Sequence, residues 1–200
     1  MGGGGAVIAG LTLEEQKRCW GLGERRTGYN RRNGIANDKK IPTQDDGSID
    51  FFGVLGEYVV RRELGLPTWD ALDTEGADHR GDILLPTQQW VEVKFGSKPG
   101  FRFAIEGTDI DRLFPCEFGV LVVPVEWKKF DRLRIVGWCS NWFFRKHSRE
   151  QVLRQASLVL EQDQMRPFEN LQLYLKLAHG MAEVLGGDSI WKAGYRFNMA

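Results

Sequence analysis

The sequence predicts an α/β fold in which helices flank a central mixed β-sheet. Three observations lead to this prediction: an apolar helical stripe over residues 48–64, short β-branched runs between residues 82 and 138, and further helical spacing toward the C-terminal end. The order helix, hairpin, strands, helix is typical of a layered α/β domain. A chain of 200 residues is long enough for one well-buried core domain with extensions.

The first half of the chain contains two predicted helices. Thr12, with a glutamate three residues later, has the spacing of a capping box and begins a short helix that ends near Trp20. The segment 21–47 is rich in Gly, Arg, Asn and Asp and is expected to be a loop or arm. Ser48 is expected to cap the second helix, and Gly65 to end it.

The strands are predicted from alternating and β-branched residues bounded by turn residues. The short turn at residues 86–88 makes the first two strands an antiparallel hairpin. Two further helices are expected from apolar spacing, over 148–160 and 171–185. The predicted strands are 82–85, 90–95, 101–105, 118–125 and 132–138.

These elements divide the chain into three parts. Residues 1–47 form an N-terminal helix and a basic arm rich in Gly and Arg, residues 48–175 form the core domain, and residues 176–200 form a C-terminal helix and tail. The sequence contains no internal repeat, which argues against a solenoid or propeller.

Composition indicates a globular protein and gives no general attraction to nucleic acid. Hydrophobic residues make up 42% of the chain and charged residues 27%, and 27 basic residues balance 27 acidic ones. Two segments carry a local excess: 17–40 has eight basic residues against two acidic, and 128–149 has seven against one. Each could line a phosphate-binding surface, or each could be a solvated face of an ordinary element.

Cysteine spacing and hydropathy predict the compartment. The three cysteines are far apart and form no Cys-x-x-Cys pair, which favours a reducing compartment and no structural zinc. No stretch approaches the roughly 18 apolar residues that cross a bilayer, and the start of the chain has no basic segment of a signal peptide. We therefore expect a cytoplasmic protein without a membrane partner, in the host cytoplasm if a phage encodes it.

The predicted hairpin places charged residues within otherwise apolar strands. Side chains alternate along a strand, so Glu92 and Lys94 share one face while Val91 and Val93 point into the core. If Asp82 pairs across the hairpin near Glu92, two carboxylates and an ammonium converge, and the carboxylates repel each other unless a cation lies between them.

A hard divalent cation would relieve this repulsion, and Mg²⁺ or Mn²⁺ is the expected ion for oxygen ligands. Such an ion polarises a phosphodiester and lowers the pKa of bound water, and Lys94 could orient or activate that water. The alternative is a salt bridge between Glu92 and Lys94 on a solvent face, because Glu-x-Lys alone occurs often by chance.

The combination of these segments resembles the PD-(D/E)XK nuclease superfamily, with its small phage-type, resolvase and restriction-endonuclease-like members. The matching residues are Gly81-Asp82, then Glu92-Val93-Lys94 ten positions after the aspartate, preceded by a helix that contains Glu57. Gly81 replaces the usual proline of the motif. The likeness extends over residues 48–173 and implies a restriction-endonuclease-like core in residues 48–175.

The resemblance also implies a role for each matching residue. Asp82 and Glu92 would ligate the metal, helped by the main-chain carbonyl of Val93, and Lys94 would serve the attacking water. Glu57 would correspond to the helix glutamate that adds a ligand, often through water. The alternative for Glu57 is an exposed glutamate between apolar stripes.

Other residues are candidates for contacting nucleic acid. His79 could contact a scissile phosphate and Arg80 could bind one with two hydrogen bonds, although a loop histidine without a role and local pairing of Arg80 are the alternatives. Glycines near Glu57 do not resemble a phosphate-binding loop, so no nucleotide cofactor is expected. The basic segments add six candidates: Arg25, Arg26, Arg31, Arg32, Lys128 and Lys129.

The sequence therefore predicts a metal-dependent DNA nuclease, an endonuclease in the first instance, with RNA as an alternative substrate. An exonuclease or a junction resolvase is the alternative among enzymes, and a resolvase would need a symmetric homodimer to cut two strands. A nucleic-acid-binding or assembly protein that keeps the fold without activity is the alternative outside enzymes.

Overall fold

The computed structural model describes residues 6–34, 46–72, 81–107, 114–153 and 156–184. It is an α/β structure with a mixed central sheet and helices, as the sequence predicts. The strands are β1 (Val7–Gly10), β2 (Ile83–Leu84), β3 (Trp90–Phe95), β4 (Phe103–Glu106), β5 (Phe118–Pro124), β6 (Arg132–Ser140), β7 (Arg149–Val152) and β8 (Ala156–Leu160). The helices are α1 (Leu13–Arg32), α2 (Asp46–Glu63), the single turn α3 (Trp69–Leu72), α4 (Asn141–His147) and α5 (Phe168–Val184), with a 3₁₀ turn at Gln162–Gln164.

Two sheets form the β layers. The central sheet has the order β1-β6-β5-β3-β2, in which β3 and β5 are parallel and the other pairs are antiparallel. The smaller sheet has the order β4-β8-β7 and is antiparallel throughout. The mixed character of the central sheet is thus confirmed.

Strand β5 lies between two hydrophobic cores. Val120 and Val122 belong to the core that α1, α2 and α5 help to form, whereas Leu121 and Val123 belong to the core beneath the small sheet. All its residues are buried, as expected for a central strand that is covered on both faces. The polar residues of the neighbouring strand β3 are therefore the exception in this part of the sheet.

Helix α2 matches its prediction closely. It begins at Asp46, two residues before the expected cap Ser48, and ends at Glu63, with Gly65 at a φ of 70° just beyond. Its buried face includes Val54 and Leu55. Since this face packs on β3, the helix holds its other residues close to the hairpin.

Helix α1 is longer than predicted. The capping box at Thr12 is present, but the helix continues to Arg32, so the expected arm is wrong as far as that residue. Gly23 faces the backbone of α2, where a Cβ would lie 2.6 Å from the Phe51 nitrogen. The glycine that indicated a loop instead allows two helices to pack closely; residues 35–45 of the expected arm lie outside the described residues.

The helix predicted over 148–160 is wrong, because this segment contains β7 and β8. Strand β8 pairs with β4, with Leu160 opposite Phe103, and Val159 and Leu160 are buried. The apolar residues that suggested a helix therefore lie in a strand, which pairs with a distant part of the chain. The helix predicted over 171–185 is confirmed as α5, which begins earlier, at Phe168. Every helix in the described ranges is too short or too polar to cross a membrane.

Candidate active site

The hairpin of β2 and β3 places Asp82 beside β3. Ile83 pairs with Val91 and Leu84 with Trp90 in the antiparallel register, and Asp82 is the residue just before β2. The Asp82 main-chain nitrogen donates to the Val91 carbonyl at 2.9 Å, and the Val93 nitrogen donates to Asp82 Oδ2 at 2.7 Å. The predicted hairpin is confirmed, and Asp82 is fixed beside β3.

The two faces of β3 are divided as the alternation predicts. Val91 and Val93 are buried in the helical core. The side chains of Glu92 and Lys94 are 18% and 31% exposed and form an ion pair with each other. Cys116 Sγ donates to Glu92 Oε2 at 3.8 Å. The structural alternative, a Glu92–Lys94 salt bridge, is thus also formed, although both groups are half-buried rather than on an open solvent face.

Glu57 is buried, so its alternative as an exposed glutamate is wrong. Its residue exposure is 5%, and both carboxylate oxygens accept hydrogen bonds from Arg26 of α1, at 2.6 and 2.8 Å. The spacing of 31 residues between the two gives no local signal of this pair. Arg26 was predicted as a surface contact to nucleic acid; the structure places it at the site, bound to the helix glutamate.

Arg61 is a site residue that the sequence did not indicate. It follows Glu57 by one helical turn, and its Nη2 donates to the Asp82 carbonyl at 3.0 Å. Its Nε is buried and has no hydrogen-bond partner among the described residues. Helix α2 therefore directs both a carboxylate and a guanidinium toward the end of the hairpin.

Burial raises the pKa of Asp82 well above its usual range, and the negative charges of Glu92 and Glu57 raise it further. Lys94 and the hydrogen bond from the Val93 nitrogen oppose these effects without cancelling them. The charged form of Asp82 is consequently short of positive partners. Glu57 and Glu92 therefore both act on Asp82 through their charges.

Lys94 is held in its charged form. Burial alone would lower the pKa of this ammonium, but the charge of Glu92, its hydrogen bond and the charge of Asp82 raise the pKa above its usual range. Burial also raises the pKa of the Cys116 thiol, and the nearby Glu92 and Asp82 add to that effect. Lys94 is thus a charged hydrogen-bond donor that keeps its proton, and Cys116 is a neutral thiol.

The remaining predicted nucleic-acid contacts that the structure describes are exposed residues of α1 and of one turn. Arg25 is exposed on α1, Arg31 and Arg32 are exposed in its last turn, and His79 and Arg80 lie outside the described residues. Lys128 and Lys129 lie in the turn between β5 and β6. Glu92 is level with Gly119, so that turn begins about 16 Å farther along β5.

The local structure explains why position 81 is a glycine. Its φ of +155° is rare for residues with a side chain, and a Cβ there would lie 2.6 Å from Cys116 Sγ. Proline, with a φ near −65°, cannot adopt this conformation. The backbone conformation and the nearby Cys116 therefore favour glycine over proline at the entrance of the hairpin.

Metal ligation and family membership stay predictions for this chain. Within the described ranges, no group of three His, Cys, Asp or Glu side chains is arranged to hold a metal ion. The resemblance to nucleases is carried by Asp82, Glu92, Lys94 and Glu57, and the role of the Val93 carbonyl is inferred from the same resemblance. No protein-family model, no curated protein and no solved structure matches this chain.

Proposed function

We propose that this protein is a metal-dependent DNA nuclease, in the first instance an endonuclease, built on a restriction-endonuclease-like core. The observation that carries the proposal is that Asp82 is hydrogen-bonded against β3, where the charges of Glu92, the buried Glu57 and the ammonium of Lys94 all act on it. Functional sites often gather charged groups with shifted pKa values in partly buried positions.

The chemistry of the donor set suits Mg²⁺ or Mn²⁺, and within the described residues the side chains would have to move closer together to hold the ion. Carboxylate oxygens are the ligands that hard divalent cations prefer, and the raised pKa of Asp82 reflects a shortage of positive charge that such an ion would relieve. Asp82 and Glu92 would hold the ion, with Glu57 and the Val93 carbonyl as further ligands. When bound, the ion supplies Lewis-acid polarisation of the phosphodiester and a lower pKa for water.

Lys94 would position the nucleophile and stabilise negative charge. Because its pKa is raised, it is an ammonium at neutral pH and cannot take a proton from water. It can donate hydrogen bonds to the attacking water and to a phosphate oxygen, where negative charge grows in the transition state. Glu92, which binds the Nζ of Lys94, fixes the direction of that ammonium.

A non-catalytic binding or assembly protein is the second candidate. One observation favours it: Arg26 already neutralises Glu57 and Lys94 already neutralises Glu92, so two of the three carboxylates have partners without any metal. Such a protein would use the same fold to bind nucleic acid without hydrolysing it.

A nuclease assay separates these candidates. Wild type, Asp82→Ala and Lys94→Ala would be incubated with linear, single-stranded and branched DNA, and with RNA, in Mg²⁺, in Mn²⁺ and in EDTA. Asp163→Asn is the matched control because this carboxylate is exposed and lies outside the site. We expect metal-dependent cleavage by wild type and by the control, and its loss in both site variants.

The outcomes have separate meanings. Equal cleavage by all four proteins would eliminate the proposed site, and an inactive wild type that still binds DNA would favour the binding protein. Cleavage of branched DNA alone, by a species with the mass of a dimer, would identify a junction resolvase. Circular dichroism of each variant would establish that lost cleavage is not lost folding.

A further inference from the structure

The ion pair between Arg26 and Glu57 lies at the border between the site and the surface. The Glu57 side chain is 6% exposed, whereas that of Arg26 is 30% exposed. The guanidinium thus covers a buried carboxylate while reaching toward solvent. Both of its Nη atoms are used, one for each Glu57 oxygen.

Ion pairs already occupy two of the three carboxylates at the hairpin. Arg26 binds both oxygens of Glu57 and Lys94 binds Glu92, whereas Asp82 accepts a main-chain hydrogen bond from Val93. A divalent cation that bound Glu57 directly would compete with the guanidinium for the same oxygens, and repulsion between like charges would favour the departure of Arg26.

Arg26 is the resident cation that can leave most readily. Lys94 is held by Glu92, which lies on the same strand, and Arg61 is held by its hydrogen bond to the main-chain carbonyl of Asp82. By contrast, in the described part of the chain the Arg26 guanidinium donates to Glu57 alone. Loss of that one partner would free both of its Nη groups together.

Resting on the nuclease function proposed above, we propose that Arg26 is a substrate-phosphate ligand that is held on Glu57 until a divalent cation occupies the carboxylates. A guanidinium fork binds two oxygens of a phosphate with the geometry that it uses for a carboxylate. Cation binding and DNA binding are thereby coupled, because Arg26 is released to bind DNA only when the cation is bound.

The phosphate role is tested without metal. In EDTA, the affinity of a short fluorescein-labelled DNA duplex would be measured by anisotropy for wild type, Glu57→Gln and the double variant Arg26→Met with Glu57→Gln. Because the amide cannot hold Arg26 as an ion pair, we expect Glu57→Gln to bind DNA about fivefold more tightly than wild type. The double variant should lose that gain. Equal affinities in the three proteins would overturn the phosphate role.

The competition is tested with Mn²⁺ alone, counted as free ion by electron paramagnetic resonance. We expect Arg26→Met to bind Mn²⁺ about fivefold more tightly than wild type, since Glu57 loses its competing cation. Lys17→Met is the charge-matched control on the exposed part of the same helix and should bind like wild type. Arg26→Lys, which keeps the charge but not the fork, should give an intermediate gain and guards against poor folding of the methionine variant.

The failure of this inference can be told from failure of the proposed function. If wild type binds Mn²⁺ and cleaves DNA while Arg26→Met and Arg26→Lys bind the ion no more tightly, the exchange is wrong and the nuclease stands. If wild type neither binds Mn²⁺ nor cleaves DNA, both the exchange of Arg26 and the nuclease function are wrong.

Discussion

Two carboxylates beside α2, Glu15 and Asp82, have opposite environments. Glu15 accepts hydrogen bonds from the Tyr58 hydroxyl, from Arg62 Nη1 at 3.0 Å and from the Thr12 main-chain nitrogen at 2.7 Å. Burial alone would raise its pKa, but these bonds outweigh burial and lower the pKa of Glu15 to about 2. This carboxylate stabilises the fold by joining α1 to α2.

Asp82 differs in having one side-chain hydrogen bond within the described residues, from the Val93 nitrogen. Burial and two neighbouring negative charges raise its pKa, so its charged form costs stability. Consecutive residues of the same helix, Glu57 and Tyr58, border the two environments. The difference teaches that one helix can supply the partners that satisfy one neighbouring carboxylate for stability and leave another neighbouring carboxylate short of partners, as functional sites commonly do.

The largest expected difference between the two clusters is in catalysis. Lys94→Met should lower the single-turnover rate of DNA cleavage at least about 100-fold, the usual cost of removing a donor that stabilises developing charge. Glu15→Gln should leave the rate per folded molecule unchanged. A comparable fall in both variants would mean that the two clusters are not functionally distinct.

The second effect is on stability and concerns Glu15. We expect Glu15→Gln to lower the free energy of unfolding at pH 7 by about 2 kcal/mol, the scale of hydrogen bonds to a charged group. Because the folded pKa of Glu15 is lowered to about 2, its contribution is complete above its ordinary value of 4.5 and is lost as pH falls toward 2. Urea unfolding at pH 7 and pH 2 should show the difference shrink with acid.

Replacing Asp82 should change the free energy of unfolding in the opposite direction from replacing Glu15. Since its pKa is raised in the folded state, wild-type stability falls as pH rises above the ordinary value of 3.8 and through the folded pKa. We therefore expect Asp82→Asn to be more stable than wild type by about 1 kcal/mol at pH 8 in EDTA, with no difference at pH 3. Urea unfolding measures both, and a less stable variant at pH 8 would contradict the comparison.

The smallest effect on stability is expected for an exposed ion pair, which serves as the baseline for the two carboxylates. Lys129 and Glu126 are 2.7 Å apart, with side chains 63% and 59% exposed. Solvent screens such pairs, so Lys129→Met should have the same urea midpoint as wild type at low and at high salt. A clear change would indicate that charge alone, rather than the partners of a carboxylate, decides stability in this protein.

Local sequence patterns predicted those features of the site that depend on residues close together in the sequence. Alternation in β3 put Glu92 and Lys94 on one face, and the short turn predicted the hairpin that holds Asp82 beside β3. Apolar spacing found α2 and hence the position of Glu57. These predictions succeeded because strand alternation, turn length and helical period are set by neighbouring residues.

The missed features depend on contacts between distant segments. Gly23 resembles a helix breaker until Phe51 of α2 packs against it, and Leu160 fits a helix until β4 provides a strand to pair with. Arg26 and Arg61 acquire their roles only when two helices and a hairpin meet. No spacing within a single segment contains that information, which is why the charge of the site was predicted less completely than its carboxylates.

The contact between Gly81 and Cys116 has a consequence for sequence variation among relatives of this chain. With the thiol 2.6 Å from where a Cβ would begin, the two positions cannot vary independently. A related chain with a side chain at position 81 would need either a different backbone conformation there or a smaller or displaced side chain at position 116. Covariation of these two positions would thus record how the hairpin entrance adapted, even where all the charged residues stay the same.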